Sequence, residues 1–297
     1  MELCIDFGGT EIKLALVSDG TVMSSTSVPV GDTSGALEIA ANEARALIDA
    51  AGEQPHAVGI AVPGVVDPAT HALLHANDKY ASLRGIDLSA WTYRELGLAA
   101  AVENDARAAL IGETSSGDAR GMRDAVLVAL GTGIGTAALV NGQVLRGARG
   151  HAGILGGHVT TNIGGPLCPC GNIGCAEALA STWALRTHHP HVDDMPALIE
   201  SSATNTDDAR LLQTFLHVWS ATVVTLCHMY DPEIVLLSGG IMRAGDAVRD
   251  PIASYTAKHL WPSIVAPAIV TTTQPELSVV RGLSVLARNL TRNEEAF

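Results

Sequence analysis

Residues 125–142 read Ala125-Val-Leu-Val-Ala-Leu130-Gly131-Thr132-Gly133-Ile134-Gly135-Thr136-Ala-Ala-Leu-Val140-Asn141-Gly142. The unbroken apolar run Ala125–Leu130 predicts a buried strand, and Gly131–Gly135 a loop. Thr136–Val140 predicts a second strand, and Asn141-Gly142 is a strong two-residue hairpin turn. The glycines are spaced G-x-G-x-G and a strand follows them, whereas a dinucleotide fingerprint needs G-x-G-x-x-G opening a helix. A dinucleotide fold is therefore disfavoured, and a strand–loop–strand hairpin is the expectation.

The amino-terminal end repeats the same order. Leu3–Phe7 is a short apolar strand, Gly8-Gly9-Thr10 a loop, Ile12–Ser18 a strand and Asp19-Gly20 a turn. Glycines between two strands let backbone N–H groups approach an anion with no Cβ in the way. Thr10 adds a hydroxyl, Lys13 a cation, and Asp6, at the strand's end, is a candidate to hold Mg²⁺ through water. Taken by itself this segment also fits an ordinary hairpin turn. Ser238-Gly239-Gly240, after the strand Glu233–Leu237, offers a third backbone approach, suited to the adenosine end of a nucleotide; a tight connection is its plainer reading.

Two halves that open alike, each with a mixed sheet, are favoured over a single doubly wound sheet. The expected division is a small lobe over 1–107 and a large lobe over 108–282. Ser34–Ala51 predicts a helix ended by Gly52, 207–230 a long buried one with Asp207 and Asp208 at its positive end, and Arg281–Asn289 a terminal one.

Bulk properties narrow the partners. The 297-residue chain has a formal net charge of −13 and is 47% hydrophobic but only 4% aromatic. Such a balance argues against non-specific binding to nucleic acid or anionic lipid. Neither a basic leader with an apolar core nor a membrane span is legible, so a soluble, cytoplasmic protein is expected.

Glu103-Asn104-Asp105-Ala106 follows the short strand Ala100–Val102. Transfer of a phosphoryl group to an alcohol needs alignment, charge neutralisation and a carboxylate to accept the hydroxyl proton. Asp105 is the candidate base, and Asn104, both donor and acceptor, a candidate for a neighbouring hydroxyl. The same residues after a strand also suit a helix N-cap.

His158, Cys168, Cys170 and Cys175 form H-x9-C-x-C-x4-C with glycines interleaved. Three thiolates and an imidazole are the ligand set of a closed, structural zinc site. Cys4 and Cys227 are solitary in apolar segments and read as core residues.

Together these motifs resemble the ROK family of sugar kinases and sugar-responsive repressors, over nearly the whole chain. Asp6–Lys13 is similar to its D-x-G-G-T-x-x-K opening, Glu103–Ala106 to the segment with its catalytic aspartate, Leu130–Gly135 to its second phosphate loop, and Gly157-His158 with Cys168–Glu177 to its zinc signature. The resemblance implies an actin-like, ribonuclease H-like two-lobed ATPase fold of α/β class, with sugar and ATP in an interlobe cleft and the carboxy-terminal helix 283–297 returning to the small lobe. It implies Asp105 as base and Asn77, Asn104, His158 and Glu177 as sugar contacts, with Gly64 beside them. ATP with Mg²⁺ is the expected donor, polyphosphate the alternative, and a homodimer is expected only because relatives are often dimers.

Departures concentrate where the acceptor is read. The family's Gly-Glu-x-Gly-His is here Gly153-Ile154-Leu155-Gly156-Gly157-His158, which lacks the carboxylate. Its Asn-Leu-Pro-Gly-Trp is Asn77-Asp78-Lys79-Tyr80-Ala81, and Arg107 stands where asparagine is frequent. Asp78 is a candidate to replace the lost carboxylate and favour an ammonium group, as in an amino sugar such as kanosamine, with a cyclitol or plain glucose as other acceptors; a surface pair with Lys79 or Arg84 is its plainer reading. A repressor is disfavoured because the first loop starts at Asp6, ahead of which no helix-turn-helix fits. A silent sugar-binding protein is disfavoured by the retained Asp6, Asp105 and phosphate loops.

Overall fold

A computed structural model describes residues 1–30, 35–76 and 78–294. It divides into two compact units, one of residues 1–120, 146–152 and 274–297, the other of 121–145 and 153–273.

The first unit opens with β1 (Glu2–Phe7), β2 (Glu11–Ser18) and β3 (Thr21–Pro29), then α1 (Ala36–Ala51), β4 (Ala57–Val62), the short hairpin β5 (Gly64–Val66) and β6 (Leu73–Ala76), α2 (Leu88–Leu96), β7 (Ala100–Asn104) and α3 (Asp105–Ser116). Its five-stranded sheet runs β3-β2-β1-β4-β7, with β1, β4 and β7 parallel and β2 antiparallel to both neighbours. Asp19 and Gly20 take the positive φ values, 50° and 79°, that a tight hairpin turn demands. Strand periodicity sends Leu3, Ile5 and Phe7 to a core with Ala40, Ala44 and Ile48 of α1, and Cys4 to the opposite face with Ala108, Val280 and Leu283.

The second unit holds β8 (Ala125–Leu130), β9 (Ile134–Val140), β10 (Gln143–Val144), α4 (Ala176–Leu179), α5 (Thr182–His188), α6 (Met195–Ser201), α7 (Thr206–Tyr230), β11 (Ile234–Ser238), α8 (Asp246–His259) and β12 (Ala268–Thr271). Its sheet, β10-β9-β8-β11-β12, repeats the design: an antiparallel hairpin beside parallel strands. Val126, Val128 and Leu130 pack on Phe215, Trp219, Val223 and Leu226 of α7. The Trp219 indole donates to the Ala180 carbonyl at 2.6 Å, which satisfies its one polar atom inside the core. Cys227 is fully buried there. Among the described residues no helix is long and apolar enough to cross a membrane.

The chain then returns to the first unit as α9 (Pro275–Glu294). This helix starts at Pro275, earlier than the expected Arg281, and crosses α3 backbone to backbone. A Cβ on Gly112 would stand 1.9 Å from the Ser278 carbonyl oxygen, and one on Gly282 1.8 Å from that of Ala108. That crossing is why the first unit extends past the expected limit at 107 to residue 120, and takes in α9 from its start. The strap 146–152 joins it through Arg107, buried at 1% exposure, which donates to the carbonyls of Gly150 (2.8 Å) and Ala152 (2.7 Å). Glu103 pairs with Arg107 at 3.1 Å and with Arg146 at 2.7 Å.

Candidate active site

In the first unit the parallel strands end together: Asp6 is level with Ala61, and Val62 with Asn104. One sheet edge therefore carries Asp6, Gly64 and Asn104-Asp105. Asn104 is buried and caps α3: its side-chain oxygen accepts from the Arg107 amide at 3.2 Å. Its amide nitrogen donates to the Gly64 carbonyl (3.0 Å) and to Asp105 Oδ1 (2.9 Å). Through these bonds Asn104 orients Asp105 and the Gly64 backbone. The cap reading open in the sequence holds for Asn104 itself.

Asp105 is half-buried in the first turn of α3, where its Oδ1 also accepts from the Ala106 amide at 2.8 Å. Burial pushes its carboxyl up to about 6 against the pull of those bonds. Asp6 is pushed to about 7, first by burial and then by the Asp105 charge, with Lys13 pulling the other way. Two carboxyls raised by burial, with the Asp105 charge adding to the shift of Asp6, form a donor set that a hard cation would relieve.

The first glycine loop follows Asp6. The Gly8 amide is held by the Asp6 and Glu11 carbonyls, both at 3.0 Å, and the Gly8 carbonyl accepts from the Tyr80 hydroxyl at 2.7 Å. Gly9, Thr10 and Lys13 are exposed. Tyr80, fully buried and edge-on to Phe7, is a support that the sequence did not reveal; it carries no local motif. Asn77 lies outside the described residues, as does the side chain of Asp78.

In the second unit the glycine loop joins β8 to β9. Gly131 and Thr132 accept through their carbonyls from the amides of Thr182 (2.9 Å) and Trp183 (3.0 Å). The Ile134 amide donates to Glu177 Oε2 at 2.8 Å. Gly239 has φ +91°, and a Cβ there would lie 2.3 Å from the Leu130 carbonyl oxygen, so Gly239-Gly240 stands beside the start of this loop.

His158, Cys168, Cys170 and Cys175 come together with all four ligand atoms within 4.8 Å of one another. Cys168 Sγ is 3.7 Å from His158 Nδ1, and Cys170 Sγ 3.7 Å from Cys175 Sγ. Zinc–sulfur bonds of about 2.3 Å put the edges of a tetrahedron at roughly 3.7 Å, so the cluster is compatible with structural zinc. Nδ1 is the nitrogen that points inward; Nε2 faces Glu177 Oε1 at 4.0 Å.

The ROK family model matches residues 2–289. A glucokinase of Streptomyces coelicolor is 30% identical over 275 residues, 84% of each chain. The structure of a ROK hexokinase from Thermus thermophilus superposes with a TM-score of 0.87 at 26% identity, over 98% of this chain and 99% of that one. A ROK family glucokinase from Streptomyces griseus, solved with glucose and AMPPNP, gives 0.80 at 25% identity, over 97% and 99%. The expected actin-like, two-lobed α/β fold with mixed sheets is the one found. With its two glycine loops, its paired carboxylates and its match from end to end, this chain belongs to the ROK family and is one of its sugar kinases.

Proposed function

We propose that the protein transfers the γ-phosphoryl group of ATP to a primary hydroxyl of a hexose or amino-hexose, with Asp105 as the general base. The observation that carries this reading is the Asp105 carboxyl itself. It is fixed by Asn104 and Ala106 at the strand edge, and burial tunes it to about 6. A base poised just below neutral pH is ionised in use yet retains proton affinity. The acceptor oxygen forms its bond to phosphorus as the bond to the ADP oxygen breaks, and the hydroxyl proton passes to Asp105. Mg²⁺ held through Asp6 supplies charge neutralisation on the phosphates. Gly8, Gly9, Thr10 and Lys13 serve one phosphate loop, Gly131, Thr132 and Gly133 the other, and Gly239 and Gly240 the nucleoside end.

Zinc on His158, Cys168, Cys170 and Cys175 is structural in this reading, because four protein ligands leave no open position. His158 Nε2 and Glu177 contact the acceptor, with Asn77 and Asp78 contributing from the first unit. Where relatives carry a carboxylate before His158 this chain has Ile154-Leu155, so plain glucose loses a charge-assisted hydrogen bond, worth about 1.5–3 kcal/mol. Amino sugars or cyclitols then compete with it, which supports an acceptor other than glucose. The test is an ADP-release assay over glucose, amino-hexoses and cyclitols, with ³¹P NMR to locate the new ester. Glucose leading by kcat/KM would return the protein to glucokinase proper. No sugar-dependent ADP release across the panel would remove the kinase reading.

A further inference from the structure

The segments that bear the metal ligands also grip the second glycine loop, and from both sides. Cys175 is the residue before α4, and Glu177 lies in the first turn of that helix. Glu177 Oε2 accepts from the Ile134 amide at 2.8 Å while Oε1 faces His158 Nε2 at 4.0 Å. The same carboxylate rests on the backbone of Gly133: a Cβ there would meet Glu177 Oε2 at 2.3 Å. Just beyond α4, Thr182 and Trp183 donate to the carbonyls of Gly131 and Thr132. On the other side Gly157, the neighbour of His158, packs so closely that its Cβ would be 2.2 Å from the Ile134 carbonyl oxygen. A loop of three glycines has little stiffness of its own. Its shape is therefore set by these contacts, and they originate at two of the four cluster ligands.

We infer that Glu177 is a positioning residue for the nucleotide: it ties the His158–Cys175 metal cluster to the loop Gly131–Ile134, so that metal occupancy governs phosphate binding. This rests on the reading that the loop holds the phosphates of ATP. The role is separable from an acceptor contact, and its sign is unusual. A carboxylate acting only through its charge would repel a polyphosphate, and its removal would tighten nucleotide binding. As a loop support, its removal weakens binding despite the relief of repulsion.

The experiment is titration of AMPPNP by calorimetry, without sugar, into the metal-loaded full chain, Glu177→Ala and Glu177→Gln, with metal content measured for each. Glu177→Ala is expected to bind AMPPNP about tenfold more weakly and to exchange the Ile134 amide faster. Glu177→Gln, whose side-chain carbonyl still accepts from Ile134, is expected to stay within about threefold of wild type. Removing the metal from wild type by chelation is expected to weaken AMPPNP and expose Ile134 to exchange, and chelation of Glu177→Ala to weaken AMPPNP by a smaller factor than chelation of wild type. Unchanged or tighter AMPPNP binding by Glu177→Ala, with only the sugar KM altered, would overturn the inference and leave the kinase reading standing. A wild-type protein that does not bind AMPPNP at all would overturn both.

Discussion

Replacing Asp105 with Asn makes two demands of opposite sign, and only a base held at a cost meets both. Asn is close to isosteric and can still accept from the Ala106 amide, so the fold of the α3 N-terminus is kept. It cannot take a proton from an acceptor hydroxyl, which costs about 10²–10⁴ in kcat. Stability moves the other way. The Asp105 carboxyl sits at about 6 where an unfolded one sits at 3.8. That separation is worth at most about 3 kcal/mol, and partial exposure reduces it to about 1–2 kcal/mol. Because the folded value is the higher one, the wild-type protein has this stability in full below about pH 4 and loses it as pH rises through about 6. The Asn variant has no such proton. Its melting temperature should match wild type at pH 4 and exceed it by about 2–8 °C at pH 8, taking 2–4 °C per kcal/mol. Removal of the charge also lets Asp6 ionise lower, since Asp105 is the second cause of its shift. Thermal melts from pH 4 to 8 and steady-state kinetics check both. Turnover within threefold of wild type removes Asp105 from proton transfer, and a melting difference that is flat across pH refutes the burial argument.

Three further outcomes follow from contacts elsewhere. Gly282→Ala puts a Cβ 1.8 Å from the Ala108 carbonyl and should cost roughly 3 kcal/mol or more in chemical denaturation, whereas Gly9→Ala, with nothing within 4 Å, should leave stability within about 1 kcal/mol. Arg107→Met strands Glu103 against Arg146 alone and leaves the Gly150 and Ala152 carbonyls without their guanidinium donor, so a loss of about 3–5 kcal/mol is expected, with faster amide exchange over 146–152. Metal analysis should find one zinc per chain, and Cys175→Ser should lower both zinc content and melting temperature.

What could be read from the chain was what is encoded within a few residues. Both glycine loops lie between apolar runs that are strands in any setting, and β8 and β9 run within two residues of where the sequence puts them. The metal cluster needs only ligand chemistry and spacing. β3 was missed because its exposed face is polar: it is an edge strand rich in Ser and Thr, alternating between exposed and half-buried residues. The first turns of α9 and the extent of the first unit depend on Gly112 and Gly282, far apart in sequence, meeting at one helix crossing. The Glu103–Arg107–Arg146 network likewise joins residues some forty positions apart, and Arg107 read alone was only a departure from a familiar pattern.

The carboxylate missing before His158 shows the same limit. Two adjacent apolar residues, Ile154 and Leu155, were equal candidates for its place. The fold separates them. Ile154 is buried, while Leu155 is 43% exposed and caps the 3-10 turn Gly156–His158, with its carbonyl accepting from the His158 amide at 2.9 Å. That backbone bond ties Leu155, and not the buried Ile154, to His158. The imidazole faces Glu177, whose other oxygen already accepts from the Ile134 amide. On the proposed reading, an acceptor bound at this face meets fewer charged partners for its hydroxyls, and the phosphorylation panel is expected to depart from glucose.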